Sequence, residues 1–203
     1  MHSKNFPFII KTSILYGALA AAFSLIGLFS PEADIIGSPL EVSNVTIEHV
    51  TGHIVLGMMV GIVTLSLRYF LLGGIFSIIL DADHLIQFLG IEIVPRMAHS
   101  VSFGIIAIFV MMMVFGKRDY LLGAIAFAAV LSHISYDILL TGTAGFPFFT
   151  PFTNELTTFQ GADWILMEVG AIILVGISVF ISRRKKNGKK ALGYSLYQML
   201  VML

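Results

Sequence analysis

Cysteine is absent from this 203-residue chain, which excludes a disulfide framework and any thiolate metal site. Charged residues are also scarce, at 12% of the chain against about 25% in soluble domains. The formal net charge is zero, so no excess of basic residues indicates a nucleic-acid partner. Hydrophobic residues make up 57% of the chain and the mean hydropathy is +0.94. The composition therefore indicates a polytopic membrane protein.

Long apolar runs predict six membrane-spanning helices in a single all-α domain, residues 1–182, followed by a basic tail, residues 183–203. A helix needs roughly 20 apolar residues to cross a hydrocarbon core of about 30 Å. The first run could instead be a signal peptide, but its length and the lack of a clean cleavage site favour a retained helix. The predicted spans are residues 8–29, two segments of 49–90 that divide near Arg68, and residues 99–115, 120–140 and 163–182.

The distribution of Lys and Arg predicts the orientation of these spans, because cytoplasmic loops carry an excess of basic residues. We place the tail sequence RRKKNGKK in the cytoplasm, where it can also contact anionic lipids. Six alternating spans then leave eleven of the twelve basic residues on the cytoplasmic side, and Arg96 alone outside. This arrangement predicts a membrane protein with a cytoplasmic C-terminal tail, and we expect its location to be a prokaryotic cell membrane.

The same topology gathers polar residues near the outer face of the bilayer. Charged groups in a span are costly and are rarely kept unless they are paired, bind a metal or face a water-filled cavity. Imidazoles and carboxylates are ligands for zinc and similar divalent ions. A metal or proton site is therefore predicted at the outer ends of helices two to five. The residues that gather there are His49, His53, Asp81, Asp83, His84, His99, His133 and Asp137.

Helical spacing indicates which of these side chains share a face. His133 and Asp137 are four residues apart, which places them about 40° apart on one side of a helix. The two histidines of the second span have the same spacing. Asp81 and His84 are three residues apart, or about 60°. Asp83 points away from Asp81 on an ideal helix. Either the helix breaks there, or Asp83 has another role, such as a contact to a metal ligand instead of to the ion itself.

Several of these residues also have ordinary structural explanations. A lone histidine near a helix end, such as His49, is often a capping or interfacial residue, and Asp83 could be solvated. Arg96 could bind a phosphate or carboxylate with two hydrogen bonds, or it could form an ion pair with Glu92 or another of the many acidic residues on the outer side. The aromatic and proline-rich loop over residues 141–162 could be a lid, a lipid-contacting rim or an interfacial anchor. The clustering of so many polar groups at one depth favours a shared site.

Three motifs in this region resemble those of the membrane-bound metal-dependent hydrolase family, whose members are also called YdjM-like or LexA-binding, inner-membrane-associated hydrolases. They are D-A-D-H at residues 81–84, A-H-S at 98–100, and H-x-x-x-D at 133–137 followed by L-T-G. The family also has an earlier histidine, which matches His53, with His49 as a competing candidate. The chain departs from an H-R-x-x-T-H-S element of the family in three ways. Val94 and Pro95 stand where the family has the first histidine, and Ala98 replaces the threonine. Arg96 is also one position closer to His99 than the family arginine is to its second histidine.

The family is distantly similar to zinc-dependent phospholipase C and P1 nuclease. The resemblance thus implies a membrane hydrolase that binds one or two divalent ions, most readily zinc. A water activated by the metal would attack a phosphoester, and lipid phosphoesters are among the possible substrates. The alternatives are a proton- or ion-coupled transporter and an inactive interaction protein. The predicted metal ligands are His53, Asp81, His84, His99, His133 and Asp137, and the catalytic candidates are Arg96 and, as general base, Asp83.

Overall fold

The computed structural model describes residues 5–26, 46–82, 96–116, 119–153 and 155–201, with side chains as far as residue 186. Within these ranges the chain is mostly helical, with six helices and one two-stranded sheet. In chain order the elements are α1 (Asn5–Ser24), α2 (Ile47–Ile62), α3 (Leu67–Ile79), α4 (Val101–Phe115), α5 (Tyr120–Thr141), β1 (Thr143–Phe146), β2 (Thr157–Gln160) and α6 (Asp163–Val201).

Three of the described helices are long and apolar enough to cross a membrane: α1, α5 and the first part of α6, Asp163–Lys186. The helices α2 and α4 are apolar but have 16 and 15 residues, and α3 has 13. Because each residue advances a helix by 1.5 Å, 13 residues extend only about 20 Å, less than the hydrocarbon thickness. The membrane character of the chain is thus confirmed, while six complete spans remain a prediction.

The helix of one predicted span ends early, and the last helix extends beyond its predicted span. The third span was predicted to continue toward residue 90, but α3 ends at Ile79 and the chain tightens into a 3₁₀ turn over residues 80–82. This turn carries Asp81 toward the histidines of α2 and α5. The last helix does not end at residue 182 but continues through the basic tail to Val201, since Lys and Arg are good helix formers.

The connection between α5 and α6 contains two short strands, which the all-α prediction did not include. They pair antiparallel, with Thr143 opposite Gln160, and their Thr and Phe residues favour strands. Gly142 ends α5 in the left-handed conformation, with φ of 75°, and its carbonyl accepts a hydrogen bond from the Gly161 N–H. The β-hairpin therefore stands at the end of the bundle where α5 ends and α6 begins.

Glycines allow α2 and α3 to pack closely as an antiparallel pair. A Cβ at Gly57 would overlap the carbonyl group of Gly73. A Cβ at Gly74 would lie 2.8 Å from the carbonyl oxygen of Ile54, closer than real Cβ contacts. This contact requires residues without side chains on both helices, and it brings the start of α2 beside the end of α3.

A buried tyrosine of α1 connects this helix to three other helices of the core. The Tyr16 ring of α1 stacks on Phe76 of α3 with the ring centroids 4.2 Å apart, and meets the edge of Phe103 of α4 at 5.5 Å. Its hydroxyl donates a 2.9 Å hydrogen bond to the carbonyl oxygen of Ala126 in α5. Because a buried hydroxyl needs a partner, this bond also fixes α1 against α5.

Candidate metal centre

Four histidines and two aspartates converge at one end of the helix bundle. They come from the start of α2, the turn after α3, the segment before α4 and the last third of α5. All six are largely buried, and the most exposed side chain, that of Asp81, is only 13% accessible. We call this group the histidine–aspartate centre, and its members are His49, His53, Asp81, His99, His133 and Asp137.

The first two histidines are presented by the first turns of α2. The Thr46 side chain caps this helix by accepting a 3.1 Å hydrogen bond from the His49 N–H, as is typical of threonine at this position. Four residues later His53 lies on the same face, and the two Nε2 atoms are 3.1 Å apart. We call His49 and His53 the first histidine pair. The sequence left them as competing candidates, whereas the structure brings both into the centre.

The second histidine pair is His99 and His133, whose Nε2 atoms are 2.9 Å apart. The Nδ1–H of His133 donates a 2.7 Å hydrogen bond to the carbonyl oxygen of Ser77. Because a carbonyl oxygen can only accept, the proton of a neutral His133 must be on Nδ1, which leaves the Nε2 lone pair directed into the centre. The His99 ring is stacked on Phe146 of β1, with centroids 5.6 Å apart and planes 12° apart.

Asp81 contacts both histidine pairs with different oxygens. Its Oδ2 lies 3.0 Å from Nε2 of His49 in the first pair. Its Oδ1 lies 3.3 Å from Nε2 of His133 and 3.8 Å from Nε2 of His99 in the second pair. The carboxylate therefore lies between the two pairs.

Asp137 repeats this arrangement from α5. Its Oδ1 lies 3.2 Å from Nε2 of His53 in the first pair, and its Oδ2 lies 3.4 Å from Nε2 of His133 in the second. The contact with His133 follows from their four-residue spacing, as the sequence predicted. Two carboxylates thus connect the same two pairs of imidazoles.

The donor set fits divalent metal ions. Three groups of three side chains place their ligand atoms within 4.8 Å of one another, and His53, His133 and Asp137 each belong to two of them. A tetrahedral ion with ligands at about 2.0–2.2 Å holds neighbouring ligand atoms about 3.3–3.6 Å apart. The separations within the centre are close to that value. Divalent charge would also offset the cost of burying two carboxylates.

Arg96 lies at the edge of the centre. Its Nη1 is 3.8 Å from Oδ2 of Asp137, which is too long for a hydrogen bond, and its side chain is 21% exposed. Its buried Nε has no hydrogen-bond partner within the described ranges. The alternative partner Glu92 lies outside those ranges. Arg96 therefore places a partly exposed guanidinium group beside the centre.

Two of the predicted site residues, Asp83 and His84, lie outside the described residues, so their predicted roles remain predictions. One contributor was missed by the sequence analysis. The Tyr136 ring meets His53 edge-on, with centroids 5.0 Å apart, and its hydroxyl donates to the carbonyl oxygen of Glu48. A Cβ at Gly52 would overlap that ring. No pattern in the sequence indicated this contact, because it joins two helices that are far apart along the chain.

The family model of the YdjM inner membrane proteins matches residues 47–203, more than three quarters of the chain. The chain belongs to the YdjM inner membrane protein family. The matched range begins at the first residue of α2 and contains every member of the histidine–aspartate centre. The resemblance to the YdjM family is thus confirmed, and with it a membrane location. Searches of the curated proteins and of the solved structures find no significant match.

Proposed function

We propose that this YdjM-family chain is an integral membrane hydrolase that cleaves a phosphoester with water at the histidine–aspartate centre. The observation that supports this most strongly is the placement of the carboxylates. Asp81 and Asp137 each direct one oxygen toward the first histidine pair and the other toward the second. Both carboxylates could therefore serve as ligands to divalent ions held by either histidine pair.

Each proposed ion has two imidazoles and two carboxylate oxygens available to it. Such a nitrogen and oxygen donor set suits zinc, and it also accepts manganese or iron. We expect zinc first, because four donors with ligand-to-ligand separations near 3.3 Å suit its tetrahedral geometry. Bound ions would supply a deprotonated water at neutral pH and would neutralise negative charge on the phosphoester oxygens.

The chain itself would bind and orient the substrate. Arg96 is suited to hold a phosphate oxygen, because its Nη1 lies 3.8 Å from Asp137 at the edge of the centre and its Nε has no partner within the described part of the chain. The hydrogen bond from His133 to Ser77 would keep one ligand ring oriented. Asp83 remains our candidate general base from the sequence.

The location of the centre supports a membrane enzyme. It lies at the C-terminal end of α5 and at the start of α2, at the end of the bundle opposite the basic tail. The positive-inside rule places that tail in the cytoplasm. We therefore propose that the centre faces the outer side of the membrane.

Metal analysis of the purified protein tests this proposal. We expect about two divalent ions per wild-type chain, and large losses in His133→Ala and Asp81→Ala. Glu155→Gln is the matched control, because this exposed carboxylate does not belong to the centre. The metal-loaded protein should hydrolyse members of a phosphoester panel. A wild-type chain that holds no stoichiometric metal would overturn the proposal, and ion flux in sealed vesicles without hydrolysis would favour a carrier.

A further inference from the structure

The β-hairpin between α5 and α6 exposes large apolar side chains at its tip. Phe149, Phe152 and Leu156 are 51%, 88% and 60% exposed. We call these three residues the apolar tip. The hairpin connects α5 with α6, two helices that are long and apolar enough to cross a membrane. The tip must therefore lie near the membrane surface, where exposed aromatic side chains are stabilised by contact with lipid.

The base of the same hairpin forms part of the wall of the histidine–aspartate centre. Phe146 of β1 stacks on the ring of His99. Two residues later, the carbonyl oxygen of Phe148 accepts a 3.0 Å hydrogen bond from the Val101 N–H at the start of α4. The hairpin is thus fixed against the segment that carries both His99 and Arg96. Along the sequence, Phe146 at the wall of the centre precedes Phe149 of the apolar tip by three residues.

Apolar and cationic groups therefore occur at the same end of the protein. The apolar tip offers surface to a hydrocarbon chain, while Arg96 offers a partly exposed guanidinium group whose Nε has no partner within the described ranges. A guanidinium group binds phosphate oxygens well. A ligand that matches both features has an anionic phosphate joined to an apolar chain.

We propose that the substrate is a membrane lipid with a phosphoester headgroup, and that the apolar tip lies in the bilayer and guides this headgroup to the centre. This proposal rests on the proposed function, and names its substrate class. A small water-soluble phosphoester has no hydrocarbon chain to contact the tip. The tip should therefore matter for the lipid and not for the soluble ester.

Hydrolysis by a double variant, Phe149→Ser with Phe152→Ser, tests the substrate. The protein is reconstituted in vesicles of phosphatidylethanolamine and phosphatidylglycerol, and headgroup release is compared with hydrolysis of bis(p-nitrophenyl) phosphate. We expect the double variant to slow headgroup release by about tenfold or more, the factor for losing one buried aromatic contact, and to change the soluble reaction by less than about twofold.

Phe6→Ser is the matched control for this pair. Phe6 is 68% exposed on α1, and its neighbour Phe8 contacts Phe115 at the opposite end of α4 from His99. Both reactions should be unchanged in this variant. Equal loss of both reactions in the double variant, or cleavage of the soluble ester without headgroup release by the wild type, would overturn the lipid proposal. Cleavage of neither ester would overturn the proposed function as well.

A second measurement locates the tip without any hydrolysis. The chain has one tryptophan, Trp164, so Phe152→Trp combined with Trp164→Phe places a single fluorophore at the tip. Lipids brominated near the top of their acyl chains should quench its emission. Quenching by a water-soluble quencher alone would show that the tip lies in water and would overturn the proposal, whatever the hydrolysis assays give.

Discussion

The Nδ1–H of His133 donates a 2.7 Å hydrogen bond to the main-chain carbonyl oxygen of Ser77. This bond connects α5 to the last turn of α3, four residues before Asp81. It fixes the ring of His133 and directs Nε2 toward both carboxylates, at 3.3 Å from Asp81 and 3.4 Å from Asp137. One main-chain acceptor thus positions the most central side chain of the histidine–aspartate centre.

His133→Asn and His133→Ala should differ in thermal stability, and both variants should lose bound metal. An asparagine amide can replace the Nδ1–H donor to Ser77, but it has no group at the position of Nε2. Alanine leaves the buried carbonyl unpaired, which costs about 1–3 kcal/mol. Thermal unfolding of the metal-free proteins should therefore rank His133→Asn above His133→Ala, while both lose bound metal. Equal melting temperatures would show that the bond to Ser77 contributes nothing.

Two manganese ions bound at the centre should be magnetically coupled. Bridging carboxylates hold paired ions about 3.5–4 Å apart, close enough for their spins to interact. We expect electron paramagnetic resonance of the manganese-loaded wild type to show this coupling, and Asp81→Asn to weaken it. Glu155→Gln, which changes an exposed carboxylate outside the centre, should leave it intact. A signal from isolated ions alone in the wild type would contradict a two-ion centre.

Gly57→Ala should weaken both the fold and the metal site. The new methyl group would overlap the carbonyl group of Gly73 and separate α2 from α3, and overpacking of this kind costs about 1–3 kcal/mol. His53 and Asp81 would move apart with the helices, so metal affinity should fall as well. Gly176→Ala is the matched control, because a Cβ there meets open space. Metal titration and thermal unfolding measure both effects, and equal behaviour of the two variants would contradict the packing argument.

Arg96→Gln should leave metal content unchanged and impair substrate binding. A guanidinium group has no lone pair for an ion, and Arg96 is 3.8 Å from the nearest carboxylate oxygen of the centre. Losing a charged hydrogen bond to phosphate should raise KM by about tenfold or more, with a smaller change in kcat. Steady-state kinetics on the metal-loaded proteins check this. Loss of metal from Arg96→Gln would assign Arg96 a structural role instead.

The predicted orientation can be tested with single cysteines, since the chain has none of its own. Glu155→Cys lies in the β-hairpin connection, and Lys186→Cys lies at the end of the last candidate span. A maleimide that cannot cross membranes should label Glu155→Cys in intact cells and Lys186→Cys only after lysis. The reverse pattern would place the histidine–aspartate centre on the cytoplasmic side.

Local patterns were reliable where a single helix decides the geometry. The pairing of His133 with Asp137 followed from their spacing, because a regular helix fixes the angle between two of its residues. The division of the second and third predicted spans near Arg68 was also correct, with a turn over residues 63–66. Other features escaped prediction, because they depend on contacts between elements. The 3₁₀ turn that carries Asp81 and the stacking of Tyr136 against His53 are examples.

The sequence by itself determined that this is an apolar, mostly helical membrane protein whose possible metal ligands are limited to histidine and carboxylate. It also placed these ligands near the ends of successive helices, because composition and spacing are properties of the chain. Only the tertiary structure decided that His49 joins His53 instead of competing with it, and that each carboxylate lies between two histidine pairs. Those relations depend on the distances between α2, α3 and α5. Glycines without side chains set the distance between α2 and α3, and the hydrogen bond from His133 to the Ser77 carbonyl oxygen holds α5 against α3.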